Sequence, residues 1–323
     1  MRRLTDLRVV FMGTPDFAVP CLNRLLQSGV QVVAVVTGPD KPAGRGQKLR
    51  SSPVKDRAVA AGLPVLQPEL LRDPRFHDAL QGFPADLFVV VAFRILPPEI
   101  FTLPPLGTIN VHASLLPKYR GAAPIQWAIL RGEKETGITT FALSETVDTG
   151  DILLQRRTPI GDRETAGELH DRLMVMGAEV LIETIEMIAS GKAERRPQEG
   201  VPTPAPKITR EMAHIEWAQP AAEIVNLVRA MNPVPCAHCT LEGKLLRIYR
   251  VHEVLGSRLA ERGSIGDDRA GKVIHADAST AEIWVAAGTG LIAIDELQLE
   301  GRKPMGADEF LRGYTLAAES QLQ

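Results

Sequence analysis

Apolar residues over the first 190 positions fall in short, nearly unbroken runs, separated by stretches in which they recur at helical spacing. The runs at 8–12, 30–36, 64–67, 86–93 and 108–112 are strand-length, and their continuity predicts strands buried on both faces. Segments 17–28, 53–61 and 75–81 read as the helices between them, and Pro53 behind Ser52 suits a first-turn proline after a capping serine. Such alternation predicts an α/β domain with a mostly parallel sheet covered by helices. Two later strands, 137–143 and 152–158, are close enough to pair antiparallel at one edge, and a long helix over 164–189 closes the unit. Pro202, Pro204 and Pro206 then stiffen a connector and forbid a helix. The expected organisation is a first domain over 1–190, a Pro-rich linker over 191–207 and a second domain over 208–323. Beyond the linker one helix, 220–230, precedes short β-like runs at 245–251, 272–276, 283–286 and 291–298, the spacing of a small OB-like β-barrel.

Composition narrows the classes. A chain of 323 residues with 45% hydrophobic and 24% charged positions can build two real cores, which excludes wholesale disorder. Its longest apolar run, 86–93, is too short to cross a bilayer. The run after the first charges, 9–12, reads as a strand rather than a signal peptide, so the expectation is a cytoplasmic protein without a membrane partner, acting as a monomer. Three cysteines give no disulfide framework and suit a reducing compartment. Cys236 and Cys239 have the two-residue gap of a zinc knuckle or redox pair. A zinc site needs four ligands and no second pair exists, so no metal is expected and the segment reads as a strand with incidental thiols. Formal net charge is −2, yet Lys41, Arg45, Lys48, Arg50, Lys55 and Arg57 crowd one loop region. After Lys207 there are 12 Lys and Arg against 16 Asp and Glu, a formal −4. The clearest electrostatic feature is therefore that local basic loop.

Three positions carry candidate chemistry. Residues two apart in a strand share a face, so Asn110 and His112 project together at the end of 108–112, just before a Ser/Pro loop. Open parallel sheets bind ligands at such strand ends. A carboxamide beside an imidazole can donate to an oxygen that gains charge in a transition state. Asp148 lies in a turn between the two late strands; it is either an Asx-type turn residue or the ionised partner that orients and charges His112. The first strand ends in Gly13-Thr14-Pro15-Asp16-Phe17, which lacks the second and third glycines of a dinucleotide turn, so NAD is not expected. That turn is either a tight connection capped by Asp16 or part of a substrate wall.

Taken together, the stretches 11–19, 39–46, 110–117, 120–126, 148–151, 215–217, 232–233 and 300–311 resemble the methionyl-tRNA formyltransferase family almost end to end. The Asn-x-His-x-Ser-Leu-Leu-Pro string of 110–117 is similar to that of the wider group using 10-formyltetrahydrofolate. The resemblance implies a Rossmann-like, doubly wound catalytic domain followed by an OB-like tRNA-binding domain. It implies transfer of the formyl group of 10-formyltetrahydrofolate, a co-substrate, to the amino group of initiator methionyl-tRNA. Asn110, His112 and Asp148 would be the catalytic trio. Ser114, Leu115, Leu116 and Pro117 would line the folate site, with Val91 and Phe93 at its pterin end. Lys41, Arg45, Lys48, Lys207, Lys244 and Arg247 would meet the tRNA, Arg45 at the acceptor arm.

The sequence also departs from the pattern. Gly38 and Lys41 stand where many relatives have Gln and Arg, and Phe93-Arg94 replaces Tyr-Gly. Rival readings are a folate formyltransferase acting on a nucleotide sugar or purine precursor, a 10-formyltetrahydrofolate hydrolase, and a non-catalytic RNA-binding protein. The basic loop and terminal barrel disfavour the first two, and the intact trio disfavours the last.

Overall fold

The computed structural model describes residues 3–43, 48–254 and 269–323. Two compact units emerge: Met1–Pro124 with Glu135–Pro159 and His170–Ala205, and Ile125–Lys134 with Ile160–Leu169 and Pro206–Gln323.

The first unit is built on a seven-stranded sheet. Its parallel strands are β1 (Arg8–Gly13), β2 (Gln31–Val36), β5 (Val65–Leu66), β6 (Leu87–Val91) and β7 (Thr108–His112). A short antiparallel hairpin, β3 (Lys41–Ala43) with β4 (Lys48–Arg50), lies apart from them. Two-residue β8 (Arg120–Gly121) precedes the late pair β9 (Glu135–Ala142) and β10 (Ile152–Pro159), and β11 (Pro204–Ala205) pairs parallel with β8. The sheet order is β10-β9-β7-β6-β1-β2-β5, with β9 antiparallel to β7 and β10 antiparallel to β9. The strand run at 108–112 has the boundaries its apolar pattern predicts, and the late pair sits antiparallel at the sheet edge as expected.

Helices α1 (Val19–Gln27), α2 (Pro53–Ala60), α3 (Pro74–Gln81), α4 (Pro98–Phe101), α5 (Pro124–Leu130) and α6 (Ala166–Ala189) follow in chain order. Capping sets where two of them start. Ser52 Oγ accepts the Lys55 N–H at 3.0 Å ahead of Pro53, and Asp73 accepts the Arg75 N–H at 2.9 Å ahead of Pro74. One sheet face packs Val10, Met12, Phe88 and Val90 against Phe76, Leu80 and Ile100 of α3 and α4. On the other face α6 presents Gly177, where a Cβ would sit 3.3 Å from Val111 Cγ1. Val111 is thus committed to the helix side, which leaves Asn110 and His112 on the opposite face.

The second unit holds an open antiparallel sheet of β12 (Ala237–Leu241), β13 (Lys244–Glu253), β14 (Val273–Asp277), β15 (Glu282–Ala286), β16 (Leu291–Leu299) and β17 (Met305–Gly306). Its order is β12-β13-β16-β15-β14, with β17 on β16, an arrangement compatible with the OB-like expectation. Helix α7 (Ala221–Met231) covers one face and buries Ile224, Val228 and Met231 with Leu246, Ile248 and Leu297.

Arg229 of α7 is only 8% exposed, yet each of its three guanidinium nitrogens donates a hydrogen bond. It donates to the Glu164 carbonyl at 3.0 Å, the Gly161 carbonyl at 2.6 Å and Asn226 Oδ1 at 3.0 Å. Arg229→Met would remove all three bonds at this half-buried junction and should lower the unfolding free energy by about 1–3 kcal/mol. Denaturant titration followed by circular dichroism measures this; an unchanged midpoint would show that the three bonds add nothing.

Candidate active site

Strand β7 ends with His112, and the chain turns at once into the loop 113–119. That loop rests on a polar net. Thr139 Oγ1, on the strand residue paired with His112, donates to the Ser114 carbonyl at 2.6 Å and accepts the Leu116 N–H at 3.2 Å. Gln155 Nε2 donates to the Leu116 carbonyl at 2.8 Å and to Thr139 Oγ1 at 3.0 Å. Ser114 is fully buried and its hydroxyl donates to the Lys118 carbonyl at 2.6 Å. Leu116 is buried with Phe141 and Ile152. The structure therefore places Ser114 and Leu116 in the foundation of the loop, where their side chains support it rather than face a cleft.

Returning from this loop, Tyr119 brings its carbonyl oxygen to 2.8 Å from His112 Nε2. A carbonyl only accepts, so Nε2 carries hydrogen and donates. Nδ1 is then the ring nitrogen left for chemistry, and it faces Asp148 Oδ2 at 3.8 Å. The separation is beyond a direct hydrogen bond but within ion-pair range. Both side chains are about nine-tenths buried, at 7% and 10% exposure, so their interaction is weakly screened. The edge of Phe141 closes one side of the imidazole at 6.5 Å between ring centres.

Asp148 comes from the turn between β9 and β10, and φ is 54° there, in the left-handed region. Its Oδ2 also accepts the Gly121 N–H at 2.8 Å. Gly150 lets the turn close: a Cβ there would fall 1.7 Å from the Ala142 carbonyl oxygen. Asn110 pairs in register with Val90 on one side and Phe141 on the other. It is partly exposed, and its carboxamide has no side-chain hydrogen bond among the described residues. The structure thus brings His112 and Asp148 together, with a donor two residues upstream on the same strand face.

A cleft of about 740 Å³ opens beyond the carboxyl ends of β1, β2 and β6, lined among others by Thr14, Gly38, Lys41, Arg50, Phe93 and Arg94. The strand order runs outward in both directions from β1, so this is the switch point of the sheet. Phe93 lies on the wall, whereas Val91 is buried beneath it. The Arg94 guanidinium donates to the Glu69 carbonyl at 2.9 Å and the Pro68 carbonyl at 2.7 Å, and lies 5.3 Å from the centre of the Phe93 ring. The departure at 93–94 is thereby accounted for: the arginine ties the neighbouring loop to the wall. Lys55 pairs with Asp40 at 2.6 Å, and that hydrogen bond holds the Asp40 carboxyl below its ordinary range.

Arg45 lies outside the described residues, and of Lys48 only the backbone is described, in β4. Lys41 is exposed in β3, and Lys207 is exposed in the second unit. Arg247 and Arg250 share the outward face of β13, opposite Gln298 and Glu296 of β16, because a bulge between Ile248 and Arg250 resets the alternation. Lys244 falls in phase with the buried Leu246 and Ile248 at the strand's start. Glu168 and Glu296 both pair with Arg250, which offsets its charge.

A family model described as formyl transferase matches residues 7–185, and one described as formyl transferase, C-terminal domain, matches residues 207–315. The chain belongs to the formyl transferase family. It is 48% identical to a methionyl-tRNA formyltransferase of Pelotomaculum thermopropionicum over 95% of this chain and 96% of that protein. A methionyl-tRNA formyltransferase of Parabacteroides distasonis is 45% identical over 97% of this chain and 98% of its own. Two solved structures share the fold. HypX from Aquifex aeolicus in complex with tetrahydrofolic acid superposes with a TM-score of 0.62 at 18% identity; the match covers 95% of this chain but only 48% of that one. An N-formyltransferase from Helicobacter canadensis, in complex with folinic acid and dTDP-3-aminofucose, gives 0.63 at 20% identity, over 89% of this chain and 98% of its own.

Among the described residues no group of three or more His, Cys, Asp and Glu could hold a metal ion, and no helix is long and apolar enough to cross a membrane. Cys239 points into the core of the second unit and Cys236 sits just before β12 with its thiol against the Ile248 carbonyl. Burial pushes the Cys21 and Cys239 thiols up to about 12 and the Cys236 thiol up to about 11. Because the thiolate is the reactive form, all three should resist a thiol-specific disulfide reagent at pH 8 and react together once guanidinium unfolds the chain. Fast modification of the native protein would place at least one thiol in a different environment.

Proposed function

We propose that the protein transfers the formyl group of 10-formyltetrahydrofolate to the amino group of initiator methionyl-tRNA, in the cytoplasm and as a monomer. The observation that carries this reading is near-full-length identity of 48% to a protein named for that activity. The site's chemistry agrees with it. The cleft offers apolar and aromatic wall beside Lys41 and Arg50, a combination suited to a flat heterocycle with an acidic tail. On this reading Phe93 packs the pterin end, and Lys41, Arg45, Lys48, Lys207, Lys244 and Arg247 meet tRNA phosphates and unpaired bases.

The methionyl amine needs no covalent enzyme intermediate. Its pKa of about 7.7–8.0 leaves a useful neutral fraction at pH 7. The amine nitrogen bonds to the formyl carbon and the carbonyl oxygen becomes an oxyanion. The bond from that carbon to the folate nitrogen then breaks, and the proton lost by the amine ends on that nitrogen. Asn110, whose carboxamide has no partner among the described residues, donates to the oxyanion from its amide. His112 in its doubly protonated form donates from Nδ1, the ring atom not engaged by Tyr119, and Asp148 compensates its charge. Losing one such donor costs about 2.7–4 kcal/mol of barrier.

Labelled 10-formyltetrahydrofolate offered with either methionyl-tRNA or a sugar nucleotide decides the acceptor; label on the nucleotide alone would overturn the reading. Asn110→Ala, His112→Ala and Asp148→Ala should each lower the transfer rate by about a hundredfold or more with the fold retained. A variant keeping more than about a tenth of the rate has lost only about 1.4 kcal/mol, and its residue then has no part in the reaction.

A further inference from the structure

The stretch 198–205, compositionally a Pro-rich connector, hydrogen-bonds to the Asp148 turn at one point and to Tyr119, the residue whose carbonyl engages His112, at another. Gln198 Nε2 donates to the carbonyls of Asp148 and Gly150, each at 2.9 Å, and so spans the turn that carries the carboxylate. Its Oε1 accepts from Arg120 Nε at 3.1 Å and Nη2 at 2.6 Å. Arginine only donates, so this contact fixes which end of the Gln198 amide faces the turn. A flipped amide would lose all four bonds.

Five residues on, Thr203 Oγ1 accepts the Tyr119 N–H at 2.8 Å and the Thr203 carbonyl accepts the Arg120 N–H at 2.9 Å. Tyr119 is the residue whose carbonyl engages His112, and it too is left-handed, with φ at 62°. The register Pro204↔Arg120 and Ala205↔Gly121 continues the contact. Gly121, whose N–H binds Asp148, has no room for a side chain: a Cβ would lie 2.6 Å from the Ala205 carbonyl oxygen. Left-handed backbone at a non-glycine persists only where its surroundings over-determine it, and here one stretch supplies that determination at both sites.

We propose that Gln198 and Thr203 are positioning residues, which hold Asp148 and the Tyr119 carbonyl so that His112 Nδ1 is presented at a fixed angle to the reacting groups. This rests on the formyl-transfer reading above. A residue that acts only through Asp148 should lose its effect once Asp148 is gone, whereas a merely structural anchor should not.

The test is single-turnover transfer from labelled 10-formyltetrahydrofolate to methionyl-tRNA, with enzyme in excess, for Gln198→Met, Asp148→Ala and the double variant. Gln198→Met should slow the saturated rate by about tenfold or more, leave the KM for the folate within about twofold and retain a cooperative melt. In the Asp148→Ala background the same replacement should cost less than about twofold. Equal losses in both backgrounds, or a wild-type rate in the single variant, overturn the proposal. Thr203→Val should likewise slow transfer and Thr203→Ser restore it, which decides the matter if Gln198→Met does not fold; a Ser variant as slow as the Val variant overturns it. A wild-type enzyme inactive on methionyl-tRNA defeats the functional reading itself, while an active one with unaffected variants defeats this inference alone.

Discussion

The hydrogen bond from His112 Nε2 to the Tyr119 carbonyl, at 2.8 Å, sets the terms for everything around it. An imidazole has two nitrogens and the backbone oxygen claims one of them as a donor. The remaining nitrogen points to Asp148, in surroundings that exclude most water. Had the loop returned elsewhere, the ring could rotate or exchange tautomers, and neither the carboxylate nor a substrate would meet a defined atom. The protein accepts left-handed backbone at Tyr119 and Asp148 to keep this arrangement.

The fold supplies the rest by geometry. Parallel strands deliver their carboxyl ends to one edge of the sheet, so the cleft beyond β1, β2 and β6 opens beside the end of β7. Because β9 runs antiparallel to β7, the β9–β10 connection leaves the sheet beside Thr108, at the start of β7, and its nine residues fold back to bring Asp148 to His112. Beneath them Thr139 and Gln155 satisfy the buried polar groups of the loop after β7, each of which would otherwise cost about 1–3 kcal/mol. The same polar net makes the loop a rigid support for chemistry rather than a flexible cover.

Where one residue's role follows from local pattern, the sequence was readable. In the run 108–112 apolar Ile109 and Val111 alternate with polar Thr108, Asn110 and His112, so the shared face of Asn110 and His112 follows from a period of two. Asp148 announces itself by the small polar turn around it. Tyr119, Gln198 and Thr203 send no such signal. Their bonds reach backbone groups across sequence separations of 7, 50 and 84 residues, from turn and extended segments outside any strand or helix, where no periodicity exists. The prolines around Thr203 even point away from structure, although they leave free the carbonyls and side chains used there. Ser114 and Leu116 show the reverse case: a recognisable string identified the segment, but burial alone distinguishes which of its residues support the loop and which could meet a ligand.

The most direct measurement is of the imidazole itself. With ¹⁵N-labelled histidine, long-range ¹H–¹⁵N correlations assign the proton-bearing nitrogen of His112 at a pH where the ring is neutral, using His112→Gln to identify its signals. The expected result is hydrogen on Nε2 and a bare Nδ1, as the Tyr119 carbonyl requires. Hydrogen on Nδ1 with a bare Nε2 would contradict it, because the ring would then face the backbone oxygen with a lone pair and the arrangement of the whole site would have to differ.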